Sequence, residues 1–570
     1  MLITVLLSLL LLPTSALHLG VEWASWPEAL CDVIPFAQSG GWTAKDGSAA
    51  ATSPSGWPTV DAYAVLFDYV ASPYDPAAHV PQIWGTYKVT FQGAGNIVLY
   101  PGLGTVLNST LDSATFTTTA YVLLQPNAST PGLVVGVFDS VSQPGGALNT
   151  GFTNLRVLQP GCYDSSSAGG SATPFFTPAS SAAVSPFSHA RVHEWSGTNR
   201  IPVTYPETIA WGERRQLQDV FYAPGSSGRP KAVGAPWETA LLLASQAAAH
   251  SGGSLGLWVN VPVYADTAYV AALAGLLRHG NASLGVAGLE ALGAPFLYVE
   301  HGNELWLNQS NSPLNYAYNR NASIAEVAAG GSPLNNDGCS DPEAWARRRH
   351  AKRLREIAQQ FRAAFAGSAV QVRPVLAWMQ DYSADAEGAL SWLEATFGQG
   401  EAARAFTHYA VNSYRGAGVY PAGTPPLPPF STPLDVLASV LSASDASLGA
   451  RLASAALASR FGLALASYEG SAWSQPDGAA GFNGAGFNAT LGSIVAFNRQ
   501  QGAAEQQAYD LQVTWRAQGL QLDAYNFYAL SGPYGPDYGF CSGLCEDVTQ
   551  PLLSPKYAGA MELLAEARGR

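Results

Sequence analysis

Two glutamates close apolar runs that have the composition of buried strands. Glu304 ends the stretch Tyr298-Val-Glu-His-Gly-Asn-Glu304, followed by Leu305-Trp306, and Glu469 ends Ala466-Ser-Tyr-Glu469 before Gly470. A carboxylic acid and a carboxylate that meet over one sugar ring can cleave a glycosidic bond. One protonates the leaving oxygen while the other attacks the anomeric carbon or activates a water. Other chemistries are less well supported. Gly252-Gly-Ser254-Leu-Gly256 matches a nucleophile-elbow pattern, but it follows a helical stretch and leads into a strand, the reverse of what an elbow needs. A serine esterase would also need a His and an Asp near Ser254. Gly481-Phe-Asn-Gly-Ala-Gly486 has no phosphate-loop Lys, and Asp381-Tyr-Ser-Ala-Asp385 lacks the Gly and Glu of a calcium loop. No His/Cys spacing points to a metal, so neither metal nor cofactor is expected.

The elements that must bring the two glutamates together are legible from residue 184 onward, where short apolar runs alternate with amphipathic stretches. The runs are 189–195, 255–262, 296–304, 370–378, 406–412, 463–469 and 520–528, and an eighth, Leu19-Gly-Val-Glu-Trp23, opens the chain after an apolar leader. Eight strands with intervening helices predict a closed (β/α)8 TIM barrel, an α/β fold. A helix is expected over Pro27–Ser39, ending at Gly40-Gly41. Asp266 and Asp341 are expected to cap two more helices, with Pro342 at the first helical position of the second. That second helix carries Arg347, Arg348, Arg349, Lys352, Arg353, Arg355 and Arg362, which reads as the solvated face of an outer helix. Counted from Leu19, Glu304 and Glu469 close strands four and seven. Active sites of such barrels lie at the C-terminal ends of the strands.

Residues 58–160 read differently. Strand-like runs follow one another without helices, and Tyr87, Val89 and Phe91 alternate with polar partners. An antiparallel β-sandwich is expected there, inserted after the first βα unit. The organisation is then a signal peptide over 1–16, a first βα unit over 17–57, the sandwich over 58–160, a linker over 161–183, and the remaining barrel over 184–570. A sandwich that simply precedes the whole barrel is the other layout.

The 570 residues are 47% hydrophobic and only 12% charged, with a net charge of −13. Such a balance argues for a globular chain and against a nucleic-acid partner. Residues 1–12 are an apolar run followed by Pro13-Thr-Ser-Ala16, which reads as a signal peptide although no Lys or Arg precedes it. No later stretch is long and apolar enough to span a bilayer, so no membrane partner is expected once the leader is removed. Asn108, Asn127, Asn281, Asn308, Asn321 and Asn488 lie in Asn-x-Ser/Thr sites. Among five cysteines, Cys541–Cys545 and Cys31–Cys162 are the candidate disulfides, leaving Cys339 free. A monomeric extracellular or cell-wall protein is expected.

Asn303-Glu304 on strand four with Glu469 on strand seven resembles the clan A retaining glycoside hydrolases, over roughly the 400 residues of the barrel. The chain is also similar to secreted bacterial proteins with an Asn-Glu-Val-Trp motif, sometimes labelled cellulose-binding. The resemblance implies Glu304 as acid/base, Glu469 as nucleophile and Asn303 as a ligand of the sugar 2-hydroxyl. It also implies Arg191 as the strand-two arginine, with His408 and Tyr409 as a strand-six pair. Phe527 and Tyr528 stand where the clan often has a strand-eight Trp, and Asn260 where it often has a strand-three His. Trp195, Trp306, Trp378 and Trp473 lie at or past strand ends, where they offer faces for sugar stacking. A retaining enzyme would hold its two carboxyl groups about 5–5.5 Å apart, with the pKa of Glu304 raised so that it can donate a proton. The carbohydrate is the expected partner; a glycan-binding protein that has lost turnover is the alternative.

Overall fold

A computed structural model describes residues 17–23, 29–68, 84–99, 104–125, 132–163, 173–222, 229–306, 313–416, 432–470, 472–473, 496, 499, 522–531 and 543–568. Eight parallel strands close a barrel in chain order: one, His18–Glu22; two, His189–Arg191; three, Gly256–Val261; four, Phe296–His301; five, Gln371–Trp378; six, His408–Asn412; seven, Ala464–Gly470; eight, Leu522–Phe527. Strand one pairs with strand eight, Leu19 opposite Tyr525, so no edge remains open. With its helices this is a (β/α)8 barrel.

Strand alternation divides the barrel side chains into two layers. Trp258, Phe296, Tyr298, Val375, Ala377, Ala410, Ala466, Tyr468 and Ala524 fill the lumen. Leu257, Val259, Leu297, Val299, Leu376 and Tyr409 face outward into a larger core shared with the helices. Asp266 caps Thr267–His279 through the Tyr269 amide, and Asp341 caps Pro342–Ala364, both as the sequence predicts. Several basic residues of the second helix are tied to carboxylates on its flanks: Arg347 to Asp385, Lys352 to Glu326 and Arg355 to Glu401. No helix among the described residues is long and apolar enough to cross a membrane.

Between barrel strands one and two the chain forms two antiparallel four-stranded sheets. One orders Thr43–Ala44, Ala62–Asp68, Gly132–Val141 and Ala94–Leu99; the other orders Thr105–Asp112, Thr117–Leu124, Gly85–Gln92 and Thr153–Leu158. Inward residues of both, among them Ala64, Leu66 and Val135 from the first and Tyr87, Val89 and Val122 from the second, share one apolar core. A Cys31–Cys162 disulfide joins the chain entering these sheets to the chain leaving them.

Two local expectations fail. Within the described part of Pro27–Ser39 only the single turn Ile34–Phe36 is helical, because Leu30 and Asp32 form β-bridges with Phe176 and Leu158. The stretch read as a linker instead ends in a helix, Pro178–Val184, capped by Thr177. The Cys541–Cys545 bridge is also absent. Cys545 carries a free, buried thiol whose Sγ donates to the Leu530 carbonyl, while Cys541 lies outside the described residues. Cys339 is free. Asn108 sits on an exposed strand and Asn321 on an exposed helical face, whereas Asn281 is half-buried. Asn127, Asn308, Asn488 and the leader lie outside the described residues.

Candidate active site

Strand two ends in Arg191, whose side chain is completely buried at the C-terminal mouth of the barrel. Its guanidinium is the hub of the site. Nη1 donates to Glu469 Oε1 at 2.5 Å and to Glu22 Oε2 at 3.3 Å. Nη2 donates to Asn303 Oδ1 at 2.8 Å and to Glu300 Oε2 at 3.1 Å. Burial opposes the charge, but Glu300, Glu469 and Glu22 outweigh it and hold Arg191 cationic. The cation also lies over the rings of Tyr468 and Trp258, at 5.2 and 5.8 Å.

Glu469 reaches this hub because strand seven is irregular. Its register with strand six shifts between Ser467 and Glu469, and its register with strand eight shifts between Ser467 and Gly470. A bulge of this kind re-aims side chains, so the consecutive residues Tyr468 and Glu469 both serve the lumen. The Tyr414 hydroxyl donates to Glu469 Oε2 at 2.6 Å. Gly470 closes the strand where a Cβ would lie 2.1 Å from Ser413 Oγ and 2.4 Å from the Tyr525 hydroxyl, so only glycine fits.

Glu304 lies past the end of strand four with φ +52°, a left-handed conformation that residues with a side chain rarely hold. Such backbone strain clusters at functional sites. Its Oε1 accepts from the Tyr468 hydroxyl at 3.1 Å, and the residue is 6% exposed. Asn303 also donates from Nδ2 to Asn199 Oδ1 at 3.1 Å. Thus Glu304, Tyr468, Arg191 and Glu469 form one connected set.

A second cation completes the cluster. His193 Nδ1 is 2.8 Å from Glu22 Oε1; its Nε2 is 3.2 Å from Glu194 Oε1 and 3.6 Å from Glu469 Oε1. Burial works against protonation, but Glu22 and then Glu194 overcome it and push the imidazole up to about 10. Burial likewise works against ionised Glu194, yet His193 pulls its carboxyl down to about 2. Tyr528, whose hydroxyl is 3.4 Å from Glu194, and Tyr414 line the same mouth. Burial pushes both phenols well up, aided by Glu194 and Glu469 respectively. Among the described residues no group of three or more His, Cys, Asp or Glu is disposed to hold a metal ion.

Of the residues singled out from sequence, Glu304, Glu469, Asn303 and Arg191 come together at the mouth, and several others do not. His408 starts strand six at the opposite end of the barrel and pairs with Asp523 at 2.8 Å. Tyr409 faces outward into the core between strands and helices; Tyr414, five residues on, is the hydroxyl on Glu469. Trp195 and Trp378 are buried in that same outer core, Trp195 donating to Thr239. Trp306 is buried with its ring 6.5 Å from Tyr382. Trp473 lies on a short strand paired with Arg415–Gly416, and its side chain is outside the description. Glu22, Glu300 and Tyr468 were not foreseen as site residues. Their signal is a charged or hydroxyl residue at a lumen-facing position of an otherwise apolar strand.

No protein-family model matches the chain, and a search of curated proteins gives no match. Among solved structures, it is similar to a β-glycosidase from Thermosphaera aggregans, at 12% identity and TM-score 0.32, covering 67% of this chain and 82% of that one. It is similar also to a Bacteroidetes-affiliated GH5 cellulase, at 11% and 0.29, covering 72% and 87%. An endo-β-1,4-mannanase from Thermotoga petrophila stands at 11% and 0.31, covering 68% and 72%. Likeness at this level carries no weight for the activity. The barrel rests on its own strand pairing.

Proposed function

We propose that this chain is a retaining glycoside hydrolase acting on O-glycosidic bonds of an extracellular or cell-wall polysaccharide. The observation that carries the reading is the linked set at the barrel mouth. Glu304 from strand four and Glu469 from strand seven are joined through Tyr468 and Arg191. Glu304 gives its proton to the leaving glycosidic oxygen as Glu469 Oε attacks the anomeric carbon, which breaks the C–O bond and leaves a glycosyl ester. Glu304, now a carboxylate, takes a proton from water, and the hydroxyl displaces Glu469 with net retention. Arg191 and Tyr414 fix the attacking carboxylate. Asn303, oriented by Arg191 and Asn199, is the residue assigned to the sugar 2-hydroxyl.

The two antiparallel sheets are, in this reading, a β-sandwich domain inserted between the first two barrel strands and closed at its stem by Cys31–Cys162. That disulfide supports an exported protein, since such bridges persist in oxidising compartments.

The test is a screen on aryl glycosides and on plant and algal polysaccharides, with Glu469→Ala and Glu304→Gln as controls and NMR of the first-formed anomer. We expect retention of configuration and a fall of about 10²–10⁴-fold in either variant. Equal activity in Glu469→Ala, or an inverted product, would remove the double-displacement mechanism.

A further inference from the structure

The charges at the mouth are layered. Both cations of the network lie at the back: the side chains of Arg191 and His193 are 0% and 2% exposed. Among the described residues of this network, the groups that reach outward are carboxylates. Glu469 is 7% exposed at its side chain and Glu194 is 29% exposed, the most open member of the network. Glu194 and Glu469 share one partner atom, His193 Nε2, at 3.2 and 3.6 Å, so Glu194 stands at the edge of the position where Glu469 would meet a sugar. Five carboxylates (Glu22, Glu194, Glu300, Glu304 and Glu469) surround two cations. Even with protons on Glu304 and on Glu300, whose carboxyl burial pushes up, three carboxylates stand against the two cations. Arg200 is exposed and acts on Glu194 more weakly than His193 does.

We infer that the sugar unit bound at this mouth carries no carboxylate or sulfate, and that Glu194 is the residue that enforces this choice. A ligand anion would meet carboxylates in front and find the cations already paired behind them. In a desolvated site, like charges at a few ångströms cost far more than in water. Sugar hydroxyls, in contrast, are donors and find an open acceptor in Glu194. Its carboxyl, held low by His193, stays ionised across the ordinary pH range. Specificity here comes from repelling the wrong ligand as much as from holding the right one.

The inference rests on the glycosidase reading, and its test separates the two. The probes are matched pairs of cello-, manno- and galacto-oligosaccharides, each in neutral form and with its primary hydroxyls oxidised to carboxylates. Affinity is measured by calorimetry on the full chain at fixed ionic strength, and hydrolysis is followed in parallel. We expect the neutral member of at least one pair to bind at least about tenfold more tightly than its oxidised partner. Glu194→Gln should narrow that preference at least about threefold, while Glu194→Asp, which keeps the charge, should preserve it. An oxidised chain bound as tightly as the neutral one, or a preference unchanged in Glu194→Gln, overturns the proposal. So does tighter binding of the oxidised chain that is lost in Arg200→Ala, which would assign specificity to Arg200. Hydrolysis without charge preference sinks this inference and leaves the hydrolase. Preference without hydrolysis does the opposite, and binding of no pair sinks both.

Discussion

At the C-terminal end of the barrel strands, five carboxylates surround one buried arginine and one buried histidine. At the N-terminal end the proportions are inverted. There, among the described residues, His18, His189, His408 and Arg373 gather around one carboxylate, Asp523. His408 Nε2 is 2.8 Å from Asp523 Oδ2, and Arg373 is 3.7 Å from the same oxygen while donating to the Tyr298 hydroxyl at 2.9 Å. The His189 ring lies against Gly20, where a Cβ would fall 2.1 Å from its Nε2. Arg373 packs over the Phe296 ring at 4.3 Å. This lower cluster is a plug of rings and short polar contacts at strand starts. The upper one carries a left-handed Glu304, a bulge in strand seven and an excess of negative charge. Groups kept for chemistry are held in arrangements that folding alone would not choose.

The sharpest way to break this comparison is at Arg191. Removing it leaves Glu300 buried without its cation and Glu22 with His193 alone, and breaking a buried pair in this way costs about 3–5 kcal/mol. Arg191→Ala should lower the unfolding free energy obtained from urea titration by that amount and abolish activity, since its other contacts serve the candidate catalytic groups. A variant as stable as the parent would mean that the upper carboxylates are not charged as a set. At the lower end, Asp523→Asn removes the one anion from His408 and Arg373, and because Asp523 is 26% exposed at its side chain, water replaces part of what is lost. A loss of about 1–3 kcal/mol follows, with turnover within twofold of the parent. If that substitution instead silences the protein while its stability holds, the functional end has been misassigned.

The barrel was legible because its strands are apolar, short and regularly interrupted. All eight runs named from sequence overlap an observed strand, and the caps at Asp266 and Asp341 form as expected. The two glutamates stood out because a charged residue closing an apolar run has few structural uses, and Arg191 was pointed to by the family resemblance. What escaped was direction. His408 and Tyr409 sit in one apolar run, and their neighbours do not say which end of that run faces the mouth or which side faces the lumen. The answer comes from register, with His408 opposite Ala464 and Asn412 opposite Glu469. The tryptophans misled for a related reason: rings at strand ends pack a barrel rim as readily as they stack on sugars, and Trp195 and Trp378 do the former. Tyr468 was hidden by the bulge, since strict alternation would send it and Glu469 to opposite faces. Pro27–Ser39 looked helical, but its bridges to Phe176 and Leu158 are made with residues more than a hundred positions away, which no local pattern reports.

The gentlest test uses pH, because each group contributes at most about 1.4 kcal/mol per pH unit through its proton. His189 is fully buried; burial first, then His18 and Arg373, push its pKa well below the ordinary 6.5. A histidine lowered on folding supports the fold above its unfolded value and withdraws that support as pH falls below 6.5. His193 behaves oppositely. Its pKa is raised to about 10, so its contribution is complete below 6.5 and drains away as pH climbs from 6.5 towards 10. Acid should therefore loosen the lower end of the barrel and alkali the upper end. Urea titrations at pH 5, 7 and 9.5 of the parent, His189→Gln and His193→Gln separate the two. The His189 variant should lose part of the acid slope and keep the alkaline one, and the His193 variant should do the reverse. Hydrogen exchange at strand two carries both readouts in one element, since His189 starts it and His193 follows its end. Slopes that change together in both variants would mean that the two clusters titrate as one, and the contrast between the ends of the barrel would be lost.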